Sequence, residues 1–141
     1  MSKVLFSLFL VFYTIQFGFS QTITGIWKNL DDVDGKEKSH IQIYEENGKI
    51  RAKVIKLLAG ATITKCNECS GANKGRDIVG MDIVWDMEKN GSEYDDGTIL
   101  DPKTGKEYSC LMKLEGNDKL KVRGYIGVSI LGRTQYWYRV K

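Results

Sequence analysis

A single histidine, a single proline and three cysteines are spread over 141 residues, and each scarcity removes a class of chemistry. A Ser-His-Asp triad would have to use His40. No Gly-x-Ser-x-Gly elbow is present, and His40 alternates with Ile41 and Ile43 as an outward strand residue. Ordinary hydrolase chemistry is therefore not expected, and no catalytic set is identified. Cys66-Asn67-Glu68-Cys69 lacks a second Cys-x-x-Cys, so only Cys110 and His40 could complete a zinc site; neither metal nor cofactor is implied. An imbalance of charge is lacking as well. Lys+Arg number 21 and Asp+Glu 18, a net +3 that falls to +2 once Lys3 is removed with the segment described next. That is too little to imply nucleic acid or an anionic membrane as partner. There is no internal repeat, low-complexity tract, linker or sustained helical periodicity. Beyond residue 20 no apolar run is long enough to span a bilayer, so stable membrane insertion of the mature chain is not expected.

What the chain does have is an N-terminal export signature. Lys3 precedes an almost wholly apolar stretch, Val4 to Phe19, that ends Gly18-Phe19-Ser20. Small residues at Gly18 and Ser20 suit a signal peptidase, so residues 1–20 read as a signal peptide cut before Gln21. A membrane-spanning helix is the alternative, but Gln16, Gly18 and Ser20 interrupt the run and no basic stop-transfer cluster follows. Removal of 20 of the 141 residues leaves 121, a size for one domain, residues 21–141. The expected location is the periplasm or the cell exterior.

The remainder alternates in short runs between turn residues: Thr24–Asn29, Lys38–Glu45, Lys49–Leu58, Met81–Met87, a short run near Thr98–Leu100, Lys106–Leu114, Lys119–Ile126 and Arg133–Val140. Asn47-Gly48 is the strongest hairpin signal, since both residues accept the positive φ of a primed turn. Asp31-Asp32-Val33-Asp34-Gly35 and Asp95-Asp96-Gly97 read as solvated turns, and Leu30 and Ile41 occupy positions where a calcium loop needs acids. Asn90-Gly91-Ser92 reads as a hairpin turn rather than a glycosylation site. Ala59 to Gly80 reads as a long loop. Eight strands joined mostly by short hairpins predict an all-β protein, a single antiparallel up-and-down barrel. An eight-stranded barrel is either filled by side chains or holds one small ligand. Gly25-x-Trp27 resembles the Gly-x-Trp of lipocalins, with Arg139 or Arg133 as a cation–π cap over the indole.

Two further blocks carry a stronger resemblance. Gly97-Thr98-Ile99-Leu100-Asp101-Pro102 with Gly105-Lys106-x-Tyr108 forms one, and Leu120-x-Val122-Arg123-Gly124 with Gly132-Arg133-Thr134-Gln135-x-Trp137-x-Arg139 forms the other. Together with Gly25-x-Trp27 they resemble the bacterial exported domain of unknown function 2147 over essentially the whole mature chain. The resemblance implies an exported, lipocalin/calycin-like barrel and no established activity. Many members carry cysteines at the positions of Tyr125 and Gly132; this chain lacks both, so a cross-link at the barrel closure is not carried over.

In an oxidising compartment Cys66 and Cys69 are expected to pair within their loop, with Cys110 a buried thiol; a link from the loop to Cys110 is the competing arrangement. In the last strand Arg133, Gln135, Trp137 and Arg139 share one face, and Thr134, Tyr136, Tyr138 and Val140 the other. Hydrophobicity alone would bury the tyrosine face, whereas the motif sits on the arginine face. With Trp27 and Arg123, the arginine face forms the candidate ligand site, a cationic and aromatic patch at one barrel end. It suits a small apolar, amphipathic or anionic ligand held by a monomer. The arginines could equally cap the barrel end or form structural ion pairs. A solid barrel that works through partner contacts is the alternative function.

Overall fold

The computed structural model describes Tyr13, Ile15 and residues 22–128 and 130–141. The expected export segment and its cut before Gln21 fall outside these residues, apart from Tyr13 and Ile15. Eight strands run β1 Gly25–Leu30, β2 Glu37–Glu46, β3 Lys49–Leu57, β4 Asp82–Asn90, β5 Glu93–Asp101, β6 Lys106–Leu114, β7 Lys119–Tyr125 and β8 Gly132–Arg139. Each pairs antiparallel with the next, and β8 returns to β1, closing the barrel. Closure leaves no sheet edge exposed. The helical content among the described residues is the single 3₁₀ turn Gly71–Asn73.

Alternation builds the wall. Ser39, Ile41 and Ile43 of β2 point inward while His40, Gln42 and Tyr44 point outward; Ile50, Ala52 and Val54 do the same on β3, and Leu120 and Val122 on β7. Each buried Ile, Leu or Val contributes about 1.5–3 kcal/mol. Asn47 and Gly48 take φ 52° and 77°, the primed turn the dipeptide predicts.

Two features differ from the sequence reading. β5 is a full strand, not a short one near Thr98, and Asp95-Asp96-Gly97 lies inside it rather than in a solvated turn. The register against β6 shifts between Tyr94 and Gly97, and Asp96 takes φ 60°, as Asp86 on the neighbouring β4 takes φ 59°. This bulged segment breaks the period-2 pattern, which hides the strand from inspection. Gly97 is there because Met87 crosses it: a Cβ at that position would overlap the Met87 Sδ and stand 2.6 Å from the Trp85 carbonyl oxygen. The closing strand departs from what hydrophobicity alone would give, turning inward the face that carries the motif. Tyr138 is exposed and Tyr136 packs under Lys119 Nζ at 4.3 Å, while Trp137 is buried. Register decides this, since Trp137 sits opposite Leu120 and Asn29, and Arg139 opposite Trp27.

The long connection, residues 58–81, folds on itself. Lys65 and Asp77 form an isolated bridge, and the Cys66 N–H and carbonyl bond to Arg76 and Gly75 at 2.8 and 2.9 Å. Cys66 and Cys69 are joined by a disulfide with Cα atoms 5.3 Å apart, and both are buried. Cys110 is a free thiol inside the barrel, and burial pushes its pKa from 9.0 up to about 12.

Two outcomes follow. Gly97→Ala forces Met87 or the Trp85 backbone to move and should cost about 1–3 kcal/mol in urea unfolding. Cys110 should resist iodoacetamide at pH 8 in the folded protein and react on unfolding, as read by intact mass. Because the fold favours the neutral thiol, this group's contribution to stability should decline as pH rises above the ordinary thiol value of 9.0.

Candidate functional site

The strands' alternating ends give the barrel two unlike poles. One carries the connections 31–36, 58–81, 102–105 and 126–131, the other the hairpins 47–48, 91–92 and 115–118 together with residues 22–24.

The second pole is plugged. Trp27 and Ile23 are fully buried, and the Trp27 indole N–H donates to the Ile23 carbonyl at 2.8 Å. The Arg139 guanidinium lies over the indole, its Cζ 4.3 Å from the ring centroid. It also donates to three carbonyls: Asn117 at 2.9 Å, Thr24 at 3.1 Å and Thr22 at 3.0 Å. Gly25 is required at this crossing, because φ is +134° and an added Cβ would stand 3.0 Å from Arg139 Nη1. Gly25-x-Trp27 and Arg139 are therefore parts of one cap.

The first pole is open. A cavity of about 660 Å³ enters there and extends down to Trp137. Its wall is mostly aliphatic and aromatic, including Val54, Leu57, Ile78, Ile83, Ile99 and Tyr108. Trp27, Met87, Met112 and Leu120 are fully buried and stay outside this lining, so they form the solid lower half. Polar groups enter at defined heights. Ser39 Oγ donates to Asn29 Oδ1 at 2.6 Å, and the Trp137 indole N–H donates to Gln135 Oε1 at 3.1 Å. At the rim Arg133 forks onto Asp32, Nε to Oδ2 at 2.9 Å and Nη2 to Oδ1 at 2.6 Å. These hydrogen bonds push the Arg133 pKa further up, so the guanidinium stays charged. The loop carrying Asp32 is ordered by Asp31. Burial there opposes ionisation, but the Val33 and Asp34 N–H groups outweigh it and hold that carboxyl below its usual range.

The six candidate residues are thus divided among three places. Arg133, Gln135 and Trp137 line the cavity from rim to floor. Trp27 and Arg139 lie beneath the floor. Arg123 is on the outer wall, opposite Thr134, donating to Thr134 Oγ1 at 2.7 Å and the Ile130 carbonyl at 3.1 Å. A single cationic patch at one end does not form: six residues of strand separate Arg133 from Arg139, roughly 20 Å. Sequence reasoning missed Asn29, Ser39 and the walls supplied by residues 57–63 and by Ile78. The first two alternate correctly for the interior, but polar residues facing inward are invisible to a hydrophobic pattern. The loop walls carry no periodic signal at all.

The two arginines should separate in a urea melt. Arg139→Ala removes three charged hydrogen bonds and the indole cover, and should cost about 2–4 kcal/mol. Arg133→Ala removes an ion pair whose arginine side chain is 67 % exposed, and should cost under about 1 kcal/mol. Equal losses would show that both are structural.

Known proteins agree with this architecture. HP1028 from the human pathogen Helicobacter pylori, described as belonging to the lipocalin family, superposes with a TM-score of 0.75 at 22 % identity, over 85 % of this chain and 84 % of that one. The likeness establishes a lipocalin-like fold. No curated protein matches the sequence. A family model described as an uncharacterized protein conserved in bacteria (DUF2147) matches residues 25–139, from the glycine of the cap to its arginine. The chain belongs to that bacterial family, domain of unknown function 2147.

Proposed function

We propose that the protein is an exported binding barrel of the cell envelope, periplasmic or extracellular. It holds one small apolar or amphipathic molecule as a monomer. The observation that carries this reading is the cavity of about 660 Å³, closed below by Trp137 and open at one pole. Ligand pockets of roughly 300–1,000 Å³ share its character, an apolar wall with a few placed polar groups. A ligand's chain would lie against Ile83, Ile99 and Tyr108, and its polar or anionic end would reach Arg133 at the rim. The exposed Asp32 carboxylate already bonded there shows the chemistry that this guanidinium accepts. Export is supported by the apolar segment ending Gly18-Phe19-Ser20 and by the buried disulfide, which suits an oxidising compartment.

The other reading is a solid barrel that acts through partner contacts. The packed lower half around Trp27 and Met112 fits it; the open upper half does not.

Native mass spectrometry of protein purified from its own compartment should show a retained small molecule. In parallel, 1-anilinonaphthalene-8-sulfonate, an aromatic anion, should bind and brighten. Gly124 faces the cavity, and a Cβ there would stand 3.3 Å from Ile99 Cγ2 and 3.5 Å from Tyr108 Cβ. Gly124→Leu therefore fills the chamber and should weaken probe binding about tenfold or more, equivalent to about 1.4 kcal/mol. Arg133→Ala should weaken it less, raising the apparent Kd while costing under about 1 kcal/mol of stability. Undiminished probe binding by Gly124→Leu would place the probe outside the barrel and remove the basis of this reading.

A further inference from the structure

Two half-buried amide side chains, Asn29 and Gln135, line the cavity with their oxygens engaged and their NH₂ groups unused. The Trp137 indole N–H can only donate, so its bond at 3.1 Å turns the Gln135 oxygen toward the ring and leaves the NH₂ group over. Asn29 is oriented in the same way. Its oxygen accepts the hydroxyl of the buried Ser39 at 2.6 Å. Neither NH₂ group has a partner among the described residues. Register brings the two amides together. Asn29 pairs directly with Trp137 across β1 and β8, and Gln135 stands two residues before Trp137 on the same strand face. They are therefore diagonal neighbours, about 7–8 Å apart along the wall and within reach of one small group.

The surroundings of the pair set the kind of acceptor it takes. The cations of the lining stand at the mouth: Arg133 is bonded to Asp32, Lys38 to Asp34, and Lys103 belongs to the turn 102–105. A carboxylate placed against Asn29 and Gln135 would meet two neutral amides, with Asp31 on the same wall. It would lose its water without gaining a cation, which is costly. An uncharged carbonyl oxygen loses far less water, and its two lone pairs can accept from both NH₂ groups. The donors are held in place by Trp137 and Ser39, so little order is lost when an acceptor arrives. We propose that the molecule in the barrel carries an uncharged carbonyl group, that of a ketone, ester or amide, at its inner end. The carbonyl oxygen accepts from Asn29 and Gln135 while the attached hydrocarbon lies on Ile83 and Ile99. This rests on the ligand reading above and adds which end of the molecule enters first. A hydrocarbon of the same shape leaves both donors unmatched, so the site selects against it.

The test uses two probes of one shape, a dimethylaminonaphthyl ethyl ketone and the propyl-substituted naphthalene that lacks its oxygen. Fluorescence at pH 8 follows the binding of each, and infrared spectroscopy follows the carbonyl stretch of the bound ketone. Both probes should bind. The stretch of the bound ketone should fall below its value in hexane, as that of a hydrogen-bonded carbonyl does. Gln135→Glu and Asn29→Asp keep an oxygen for Trp137 or Ser39 and remove the NH₂ donor. Each should lower the ketone-to-hydrocarbon affinity ratio roughly fivefold or more and move the stretch back toward its hexane value. An unshifted stretch in the unaltered protein overturns the inference whether or not the variants fold. Equal weakening of the two probes by the variants, or a shifted stretch that survives in both variants, overturns it as well. In these three outcomes the probes still bind the unaltered protein, so the ligand reading stands. Failure of both probes to bind would instead overturn the ligand reading and this inference with it.

Discussion

The seam between the first and last strands is the constraint on which the rest of the barrel depends. Trp27–Arg139, Lys28–Tyr138 and Asn29–Trp137 pair across it, and the Val140 N–H adds one bond to the Ile26 carbonyl at 2.9 Å. A ladder of that length is marginal by itself, and the Arg139 guanidinium reinforces it from below. It holds the chain ahead of β1 through Thr22 and Thr24, and the β6–β7 connection through Asn117. Stacking over Trp27 also spares a charged group full desolvation, because the ring face and the carbonyls replace its water. The barrel is thereby sealed at one pole, and whatever space it encloses must open at the other.

Two arginines of the same strand face meet opposite environments. Arg139 is enclosed by carbonyls and an indole and acts as a fastener. Arg133 stands at the rim, largely solvated, with the Asp32 carboxylate as its partner. A solvated pair of this kind contributes about 0–1 kcal/mol, so the barrel does not depend on it. The long connection 58–81 supplies part of the mouth wall, and it is ordered by its disulfide, by its own backbone bonds and by bonds to the sheet, Gly60 N–H to the Glu37 carbonyl at 3.1 Å and Gly80 N–H to the Val54 carbonyl at 2.7 Å.

Family likeness acquires a physical meaning in this frame. Gly25, Trp27 and Arg139, far apart in the chain, are one cap. Gly97 in the central block admits Met87, and Gly124 in the closing block leaves space above the floor. Tyr125 and Gly132, the positions at which the family resemblance implies cysteines, are direct partners across β7 and β8. This chain closes without a bond at that point and places its disulfide in the mouth loop instead.

Strand number, the antiparallel up-and-down order and the Asn47-Gly48 hairpin were legible in the sequence, because period-2 alternation and turn chemistry are local properties. The pairing of Cys66 with Cys69 was legible for the same reason, as two thiols three residues apart in one loop. Which face of β8 turns inward was not. That depends on register against β1 and β7, which sets Trp137 beside Leu120 and exposes Tyr138 against its own hydrophobicity. Nor was the bulge that carries Asp96 and Gly97 through β5, since a bulge erases the alternation by which a strand is recognised. The division of the candidate arginines among rim, cap and outer wall was likewise decided only in three dimensions. Residues that share a strand face share a direction, but the strand is long enough to reach both poles, and closure seals only one of them.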